Sequence, residues 1–258
     1  MKLIKSSAVL FGLIFCLCSS AFAHFGMVIP SDNMVMQGDN RVVQLTLSFS
    51  HPFEMIGMEL AKPKAFFSVK DQAQKDLISD LKPSMVMEHK AWALDYKVTR
   101  PGAYHFVMEP TPYWEPSEDC YIIHYTRTCV AAFGDDSGWD DELGLKTEIV
   151  PLTKPFGLYA GNVFQGVVKL NGKVVPYAEV EIEYYNQKKA VTAPTDYMIT
   201  QTIKADQNGV FTYAAPVDGW WGFAALNTSD EKMVYNGEEK DIELGAVIWV
   251  KFESWQEK

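Results

Sequence analysis

Apolar and polar residues alternate along most of the chain, which is the pattern of β-strands with one buried and one exposed face. Within residues 41–50, every second position is apolar, at Val43, Leu45, Leu47 and Phe49. Residues 91–98 alternate in the same way, and Pro101-Gly102 forms a turn before the next alternating run. Many short strands separated by turn residues predict an all-β fold.

One segment departs from this alternation. Residues 68–82 have apolar side chains at helical spacing, namely Ala73, Leu77, Ile78 and Leu81. Ser68 or Asp71 is available as an N-cap residue at the start of the segment. We therefore expect one short helix that crosses between two strands.

A change of composition divides the chain near its middle. Residues 133–147 are rich in Gly and Asp and show no periodicity, which indicates a boundary. Beyond it the alternating runs are short, and Asn171-Gly172 is a strong signal for a two-residue hairpin. We expect two β-sandwich-like domains of immunoglobulin or prealbumin type, residues 24–150 with the short helix and residues 151–258.

The first 23 residues have the features of a secretory signal peptide. Lys2 and Lys5 precede an apolar stretch at residues 8–18, and Ala21-Phe22-Ala23 matches the A-x-A cleavage pattern. No later run approaches the roughly 18 apolar residues of a membrane span. We expect an exported protein that does not span the membrane after cleavage and that lies in the periplasm of a Gram-negative cell.

Cleavage at this point would leave His24 as the first residue of the mature chain. An N-terminal histidine offers two metal donors, the free α-amine and the imidazole ring. The amine has a reference pKa near ~7.7–8.0, so part of it is unprotonated at neutral pH. The alternative is that a histidine stands first by chance.

All five histidines lie in the predicted first domain. His51 directly follows the strand at residues 41–50, on its apolar face, where it could meet a chain terminus or serve as an ordinary rim residue. His124 lies in a strand after an acidic loop, and Glu115 of that loop could complete a mixed nitrogen and oxygen site. His105 is a weaker candidate ligand, and His89 is expected on the surface.

The metal that such a site would hold is not fixed by the ligand types. Imidazole and amine nitrogens suit nickel, copper or zinc, and the affinity order alone places Cu(II) first. Eight of the methionines lie between Met27 and Met108, where their sulfur atoms could favour Cu(I) or simply fill the core.

Two cysteines follow the predicted signal peptide, Cys120 and Cys129. In an oxidising compartment a pair this close in sequence is most simply a disulfide. Thiolate binding of a metal is the alternative, so the role of the pair stays open.

The charge of the chain excludes one class of partner. Two of the 23 basic residues lie in the predicted signal peptide, which leaves 21 against 33 acidic residues. A protein this acidic is a poor nucleic-acid binder but raises the local concentration of cations. The sequence contains no GxSxG, HExxH, P-loop or dinucleotide-binding pattern, so we do not expect an enzyme.

Three segments resemble a known family. They are AHFGMVIP at residues 23–30, YWEPSEDCYIIHYTR at residues 113–127, and the junction at residues 143–184 with its EIVPL and NGK motifs. They resemble exported proteins of a DUF-type nickel-transport family, which are additional periplasmic components of energy-coupling-factor systems for nickel or cobalt uptake. The second half is also similar to the prealbumin-like modules that follow carboxypeptidases, which are structural β-sandwiches.

The resemblance implies an extracytoplasmic nickel-binding protein rather than an enzyme. It points to His24, His51 and His124 as ligands, with cobalt, copper or zinc as other ions, and to membrane subunits of a nickel transporter as partners. The cysteine pair departs from the family pattern. Two other functions stay open: a structural or adhesion β-sandwich, and a copper oxidase that uses an N-terminal histidine together with a second histidine.

Overall fold

The structure, a computed structural model, describes residues 24–255. These residues form 21 β-strands and one 3-10 turn, which confirms the all-β prediction. The predicted signal peptide at residues 1–23 lies outside the described residues. No helix between residues 24 and 255 has the length and apolar character needed to cross a membrane.

The strands of the first half are β1 (Phe25–Pro30), β2 (Met34–Val35), β3 (Val42–His51), β4 (Ile56–Met58), β5 (Ala65–Lys70), β6 (Ala73–Asp76), β7 (Lys82–Val86), β8 (His89–Lys97), β9 (Gly102–Glu109), β10 (Tyr113–Glu115) and β11 (Cys120–Ala132). Those of the second half are β12 (Thr147–Pro151), β13 (Leu158–Tyr159), β14 (Val163–Leu170), β15 (Lys173–Val174), β16 (Glu179–Tyr184), β17 (Gln201–Lys204), β18 (Val210–Ala214), β19 (Gly219–Thr228), β20 (Met233–Tyr235) and β21 (Glu238–Glu253). The 3-10 turn spans Asp196–Met198.

The described strands form three sheets. A five-stranded sheet has the order β1-β3-β8-β7, with β4 beside β3, and a four-stranded sheet has the order β12-β14-β15, with β18 beside β14. The third sheet has 12 strands along the path β17-β16-β19-β21-β11-β9-β5-β6, with four short strands attached. The two smaller sheets each come from one half of the chain, whereas the large sheet takes strands from both.

Alternation along β21 shows that the large sheet is covered on both faces. Ile248 and Val250 lie in the hydrophobic core shared with the four-stranded sheet. Val247 and Trp249 point to the opposite face, where they pack against Phe25 of β1. Because successive side chains of a strand alternate between faces, the two smaller sheets cover opposite sides of the large one.

A parallel pairing joins the two halves. Strand β11 pairs with β21 over nine residues, from Cys120 opposite Asp241 to Thr128 opposite Trp249. The boundary predicted near residue 150 falls within β12. The large sheet is therefore continuous across that boundary.

The helix predicted over residues 68–82 is wrong. The segment forms the β5–β6 hairpin, with Ser68 opposite Lys75. Asp71 and Gln72 at the turn both have positive φ, 51° and 59°, as a two-residue primed hairpin turn requires. Of the apolar residues that suggested a helix, Ala73 is exposed in β6, whereas Leu77, Ile78 and Leu81 follow the hairpin and join the hydrophobic core that contains Phe66. Tertiary packing therefore overrode a short helical pattern.

The disulfide considered for Cys120 and Cys129 is absent, and both thiols are free. The two residues lie on the single extended strand β11. At roughly 3.3 Å per residue they are about 30 Å apart, far beyond the reach of a disulfide. Cys129 is buried beside Ala103 and Phe156.

A buried polar network fixes the segment between the two halves to the large sheet. The guanidinium of Arg127 lies 3.3 Å from a carboxylate oxygen of Glu148 and donates to Nδ1 of His105 at 2.9 Å. Glu148 also accepts from the amides of Leu143 and Gly144. The side chains of Arg127 and Glu148 are each only 1% exposed.

The tautomer of His105 follows from its partners. Arginine can only donate, so Nδ1 accepts and Nε2 carries the proton that it donates to the Gly138 carbonyl at 2.7 Å. Burial, reinforced by the charge of Arg127, lowers the pKa of His105 from 6.5 to about 3. His105 therefore serves the structure and is not available as a ligand.

This network predicts a loss of stability in acid. The unfolded chain protonates His105 near pH 6.5 and the folded chain only near pH 3, so the unfolded state binds more protons between these values and stability falls as pH drops. We expect the free energy of unfolding to fall by about 2 kcal/mol between pH 6.5 and 4.5 from this group. Urea unfolding of wild-type and His105→Gln protein at several pH values measures it, and equal pH slopes would contradict the assignment.

Candidate metal centre

The antiparallel register of β1 and β3 brings His24 beside His51. Phe25 lies opposite Ser50. His24 precedes Phe25 and His51 follows Ser50, so the same register brings these two histidines side by side. The ring centroids of His24 and His51 are 4.7 Å apart. The strand pairing therefore places two imidazoles together at one end of the five-stranded sheet.

A carboxylate from the large sheet joins these two imidazoles. We call His24, His51 and Glu115 the cluster. Nε2 of His24 lies 2.9 Å from a carboxylate oxygen of Glu115, and both side chains are about nine-tenths buried. Glu115 ends the short strand β10, which pairs with the start of β11. Its second oxygen accepts from the amide and the hydroxyl of Ser117. Each carboxylate oxygen of Glu115 therefore has a polar partner.

The electrostatics of the cluster keep His24 neutral. Burial, together with the neighbouring His51 and His124, lowers the pKa of its ring from 6.5 to about 4 against the opposing charges of Glu115 and Glu243. For Glu115, burial favours a higher pKa, but the hydrogen bonds from Ser117 and the proximity of His24 outweigh it, so the pKa is lowered. At neutral pH a neutral imidazole faces a charged carboxylate.

His124 lies on β11 of the large sheet, and its ring contacts β1. Its Nδ1 accepts from the amide of Gly26 at 3.3 Å, and its Nε2 lies 3.3 Å from Glu243. Gly245 of β21 lies beneath the ring, and a Cβ there would collide with the imidazole. Gly245 therefore allows the His124 ring to lie this close to β21, whereas a Cβ at Gly26 would collide first with the Thr126 hydroxyl.

These contacts occupy both ring nitrogens of His124. A backbone amide can only donate, so Nδ1 is an acceptor and Nε2 carries the proton directed at Glu243. His124 thus borders the cluster as a hydrogen-bonded residue in this arrangement. Among residues 24–255, no three His, Cys, Asp or Glu side chains form a ready-made metal-binding group.

The cavity beside the cluster is small. It has a volume of about 50 Å³ and is lined mainly by apolar residues, with Phe49, Tyr113 and His124 on the side of the cluster. A single water needs roughly 10–15 Å³ of cavity volume. The cavity therefore has room for a few waters or an ion but not for a sugar ring.

The structure brings together His24, His51 and His124 with Glu115, which the sequence had offered as an oxygen ligand, and it adds Glu243. The sequence had not singled out Glu243. His105 lies apart from the cluster, in the network with Arg127. His89 is half-buried, and its Nδ1 lies 2.8 Å from the Met87 carbonyl.

In residues 24–255, fold and site together describe an all-β protein with a buried histidine and carboxylate cluster at the start of its first described strand. The chain belongs to a family described as a domain of unknown function, DUF4198, whose model matches residues 21–229. That description states no activity. A search of curated proteins gave no match.

Comparison with solved structures gives distant likenesses. The D0-D1 domain of intimin shows 12% identity and a TM-score of 0.24, over 89% of this chain and 99% of that one. Trypsin-activated alpha-2-macroglobulin from Escherichia coli shows 8% identity and a TM-score of 0.27, over 88% of this chain but only 16% of that one. The fibronectin(III)-like modules of CbhA from Clostridium thermocellum show 9% identity and a TM-score of 0.21, over 90% and 100%. With TM-scores below 0.5, none of these carries an argument about function.

Proposed function

We propose that the mature protein is a periplasmic metal-binding accessory protein that captures nickel, or cobalt, for a membrane transporter. One observation carries the proposal. At the residue that signal cleavage would expose, the ring of His24 lies 4.7 Å from that of His51 and 2.9 Å from the carboxylate of Glu115. The resemblance to nickel-uptake components and the acidity of the chain support the same function.

The donor atoms of His24 suit a chelate. The α-amine and Nδ1 of an N-terminal histidine can close one ring around a metal, whereas Nε2 points away from it. Nε2–H is then free to donate to Glu115, the carboxylate–histidine arrangement that orients metal-binding imidazoles and raises their basicity. His51 would add a second imidazole from the neighbouring strand.

His124 would enter the coordination shell only by giving up a present contact. Its Nδ1 accepts from Gly26 and its Nε2 faces Glu243, so a ring nitrogen must exchange a hydrogen bond for the metal. An amine and two imidazoles leave open coordination positions. Such a site holds its ion reversibly, which suits a protein that must pass the ion on.

A copper oxidase would use the same histidine pair. The proximity of His24 and His51 favours this alternative, but such an enzyme needs its metal at a surface open to the substrate, and the His24 side chain is only 9% exposed. A structural or adhesion role does not call for ligand-type side chains at the processed terminus, where His24, His51 and Glu115 meet. We therefore place metal capture first.

Titration of the processed protein tests the proposal. Protein beginning at His24 is titrated with Ni(II), Co(II), Cu(II) and Zn(II) by calorimetry, beside a matched protein with one extra alanine before His24. We expect one nickel ion per chain and at least tenfold weaker binding in the extended protein, because the extension removes the free amine from the chelate. Equal melting temperatures would show that both proteins are folded.

Three outcomes would overturn the proposal. Undiminished nickel binding in the extended protein removes the terminal chelate. Absence of binding for every metal favours the structural role. Copper-dependent consumption of a reductant and peroxide favours the oxidase.

A further inference from the structure

We infer that the C-terminal half completes the metal centre, with Asn186 and Tyr235 as positioning residues that fix the segments carrying His51 and Glu115. The inference rests on the proposed function and deepens it. Asn186 contacts the two residues that follow His51, and Tyr235 contacts the residue that precedes Glu115. Each holds the chain directly beside a member of the cluster, and each does so from the far side of the boundary predicted near residue 150.

Asn186 holds the turn that follows His51. Its backbone amide donates to the Pro52 carbonyl at 3.2 Å, and its Nδ2 donates to the Phe53 carbonyl at 3.2 Å. The Phe53 amide in turn donates to Glu183 at 3.3 Å. Asn186 is only 6% exposed, so these bonds are shielded from water. The two residues after His51 are thus tied to the end of β16.

The remaining bonds of Asn186 make this anchor rigid. Its Nδ2 also donates to the Val191 carbonyl at 2.8 Å, and its Oδ1 accepts from the amides of Ala190 and Val191. The side chain therefore closes its own loop while it holds the turn after His51. Substitution of this amide would loosen both segments together.

Tyr235 holds the strand that carries Glu115. Its ring stacks on Trp114 with centroids 3.9 Å apart and an interplanar angle of 13°. Tyr121 packs against both rings and donates to the Val234 carbonyl at 3.3 Å. The β20–β21 hairpin of the C-terminal half therefore packs against Trp114, the residue immediately before Glu115.

Such anchoring is needed because the ligand-bearing segments have little support of their own. Strand β10 has three residues, and the turn after His51 passes through Met55 at φ 59°. Residues that orient the ligands of a metal typically change its affinity by about 10–100-fold when they are replaced. We expect effects in that range from Asn186 and Tyr235.

The test compares Tyr235→Leu with Tyr235→Phe, which keeps the aromatic ring, and adds Asn186→Ala. All are made in protein processed to His24. We expect at least tenfold weaker Ni(II) binding and a shifted Cu(II) d–d absorption band for Tyr235→Leu and Asn186→Ala, and wild-type values for Tyr235→Phe. The melting temperature of each variant shows how much of it is folded.

Amide hydrogen exchange without metal separates this inference from the proposed function. We expect faster exchange at the amides of Phe53 and Glu54 in Asn186→Ala and at those of Glu115 and Ser117 in Tyr235→Leu, with no change in Tyr235→Phe. Wild-type protein that binds no metal, with these exchange effects present, would refute the proposed function alone. Wild-type affinity, spectrum and exchange in Tyr235→Leu and Asn186→Ala would overturn the positioning role.

Discussion

Replacement of Arg127 by methionine is expected to lower the free energy of unfolding by about 3–5 kcal/mol. Arg127 and Glu148 form a buried ion pair at 3.3 Å, with each side chain 1% exposed. Methionine fills much of the same space but leaves the Glu148 charge without its cation. Removal of one partner from a buried pair is costly because the other charge stays desolvated. Urea denaturation at pH 7 measures the change.

Two further variants make this prediction specific. The double variant Arg127→Met/Glu148→Gln removes both charges, keeps an acceptor for the amides of Leu143 and Gly144, and is expected to recover a large part of the lost stability. Lys204→Met removes an exposed partner of Glu179, whose side chains are 67% and 56% exposed, and should cost less than about 1 kcal/mol. A loss below about 1 kcal/mol in Arg127→Met would show that the buried pair does not hold the junction.

The meeting of His24 and His51 was within reach of sequence reasoning. Alternation placed His51 at the inner end of a strand, and the signal-peptide pattern placed His24 at a chain start. The structure adds the register that joins them, with Phe25 opposite Ser50. That register depends on which strand β1 pairs with, and local alternation carries no information about pairing partners.

Local sequence patterns could not predict which residues surround His124. Glu243 faces His124 only because β21 runs parallel to β11, which pairs residues more than a hundred positions apart. Gly245 reads in the sequence as an ordinary strand glycine, yet its missing side chain makes room for the imidazole. Long-range parallel pairing also explains why residues of the second half reach the turn after His51.

The two wrong predictions share a physical cause. The apolar spacing in residues 68–82 and the short separation of Cys120 and Cys129 were both interpreted as local structure. The β5–β6 turn instead takes up left-handed conformations at Asp71 and Gln72, and β11 is long enough to keep the two cysteines on one extended strand. In each case the contacts of the large sheet decided the conformation.

Replacement of His51 by alanine in the processed protein is expected to weaken nickel binding by about a hundredfold, or about 2.7 kcal/mol. The imidazole of His51 is the second ring of the proposed site, with its centroid 4.7 Å from that of His24. No other imidazole can replace it without losing contacts, because His124 is bound to Gly26 and Glu243. Calorimetric titration with Ni(II) measures the loss, and the Cu(II) electron paramagnetic resonance spectrum should show one fewer coordinated nitrogen.

Three companion variants distinguish a ligand from a neighbour. Glu115→Gln keeps an acceptor for Nε2 of His24 but loses the charge, so a loss of about tenfold is expected, within the range for orienting residues. His124→Gln should fall between these two values if the ring joins the metal, and should leave the nitrogen count unchanged if it only supports β1. His89→Gln, at a histidine whose described contact is the Met87 carbonyl, is the matched control and should bind as wild type does. Equal nickel affinity in His51→Ala and His89→Gln would show that His51 is not a ligand. The proposed site would then be reduced to the terminal chelate of His24.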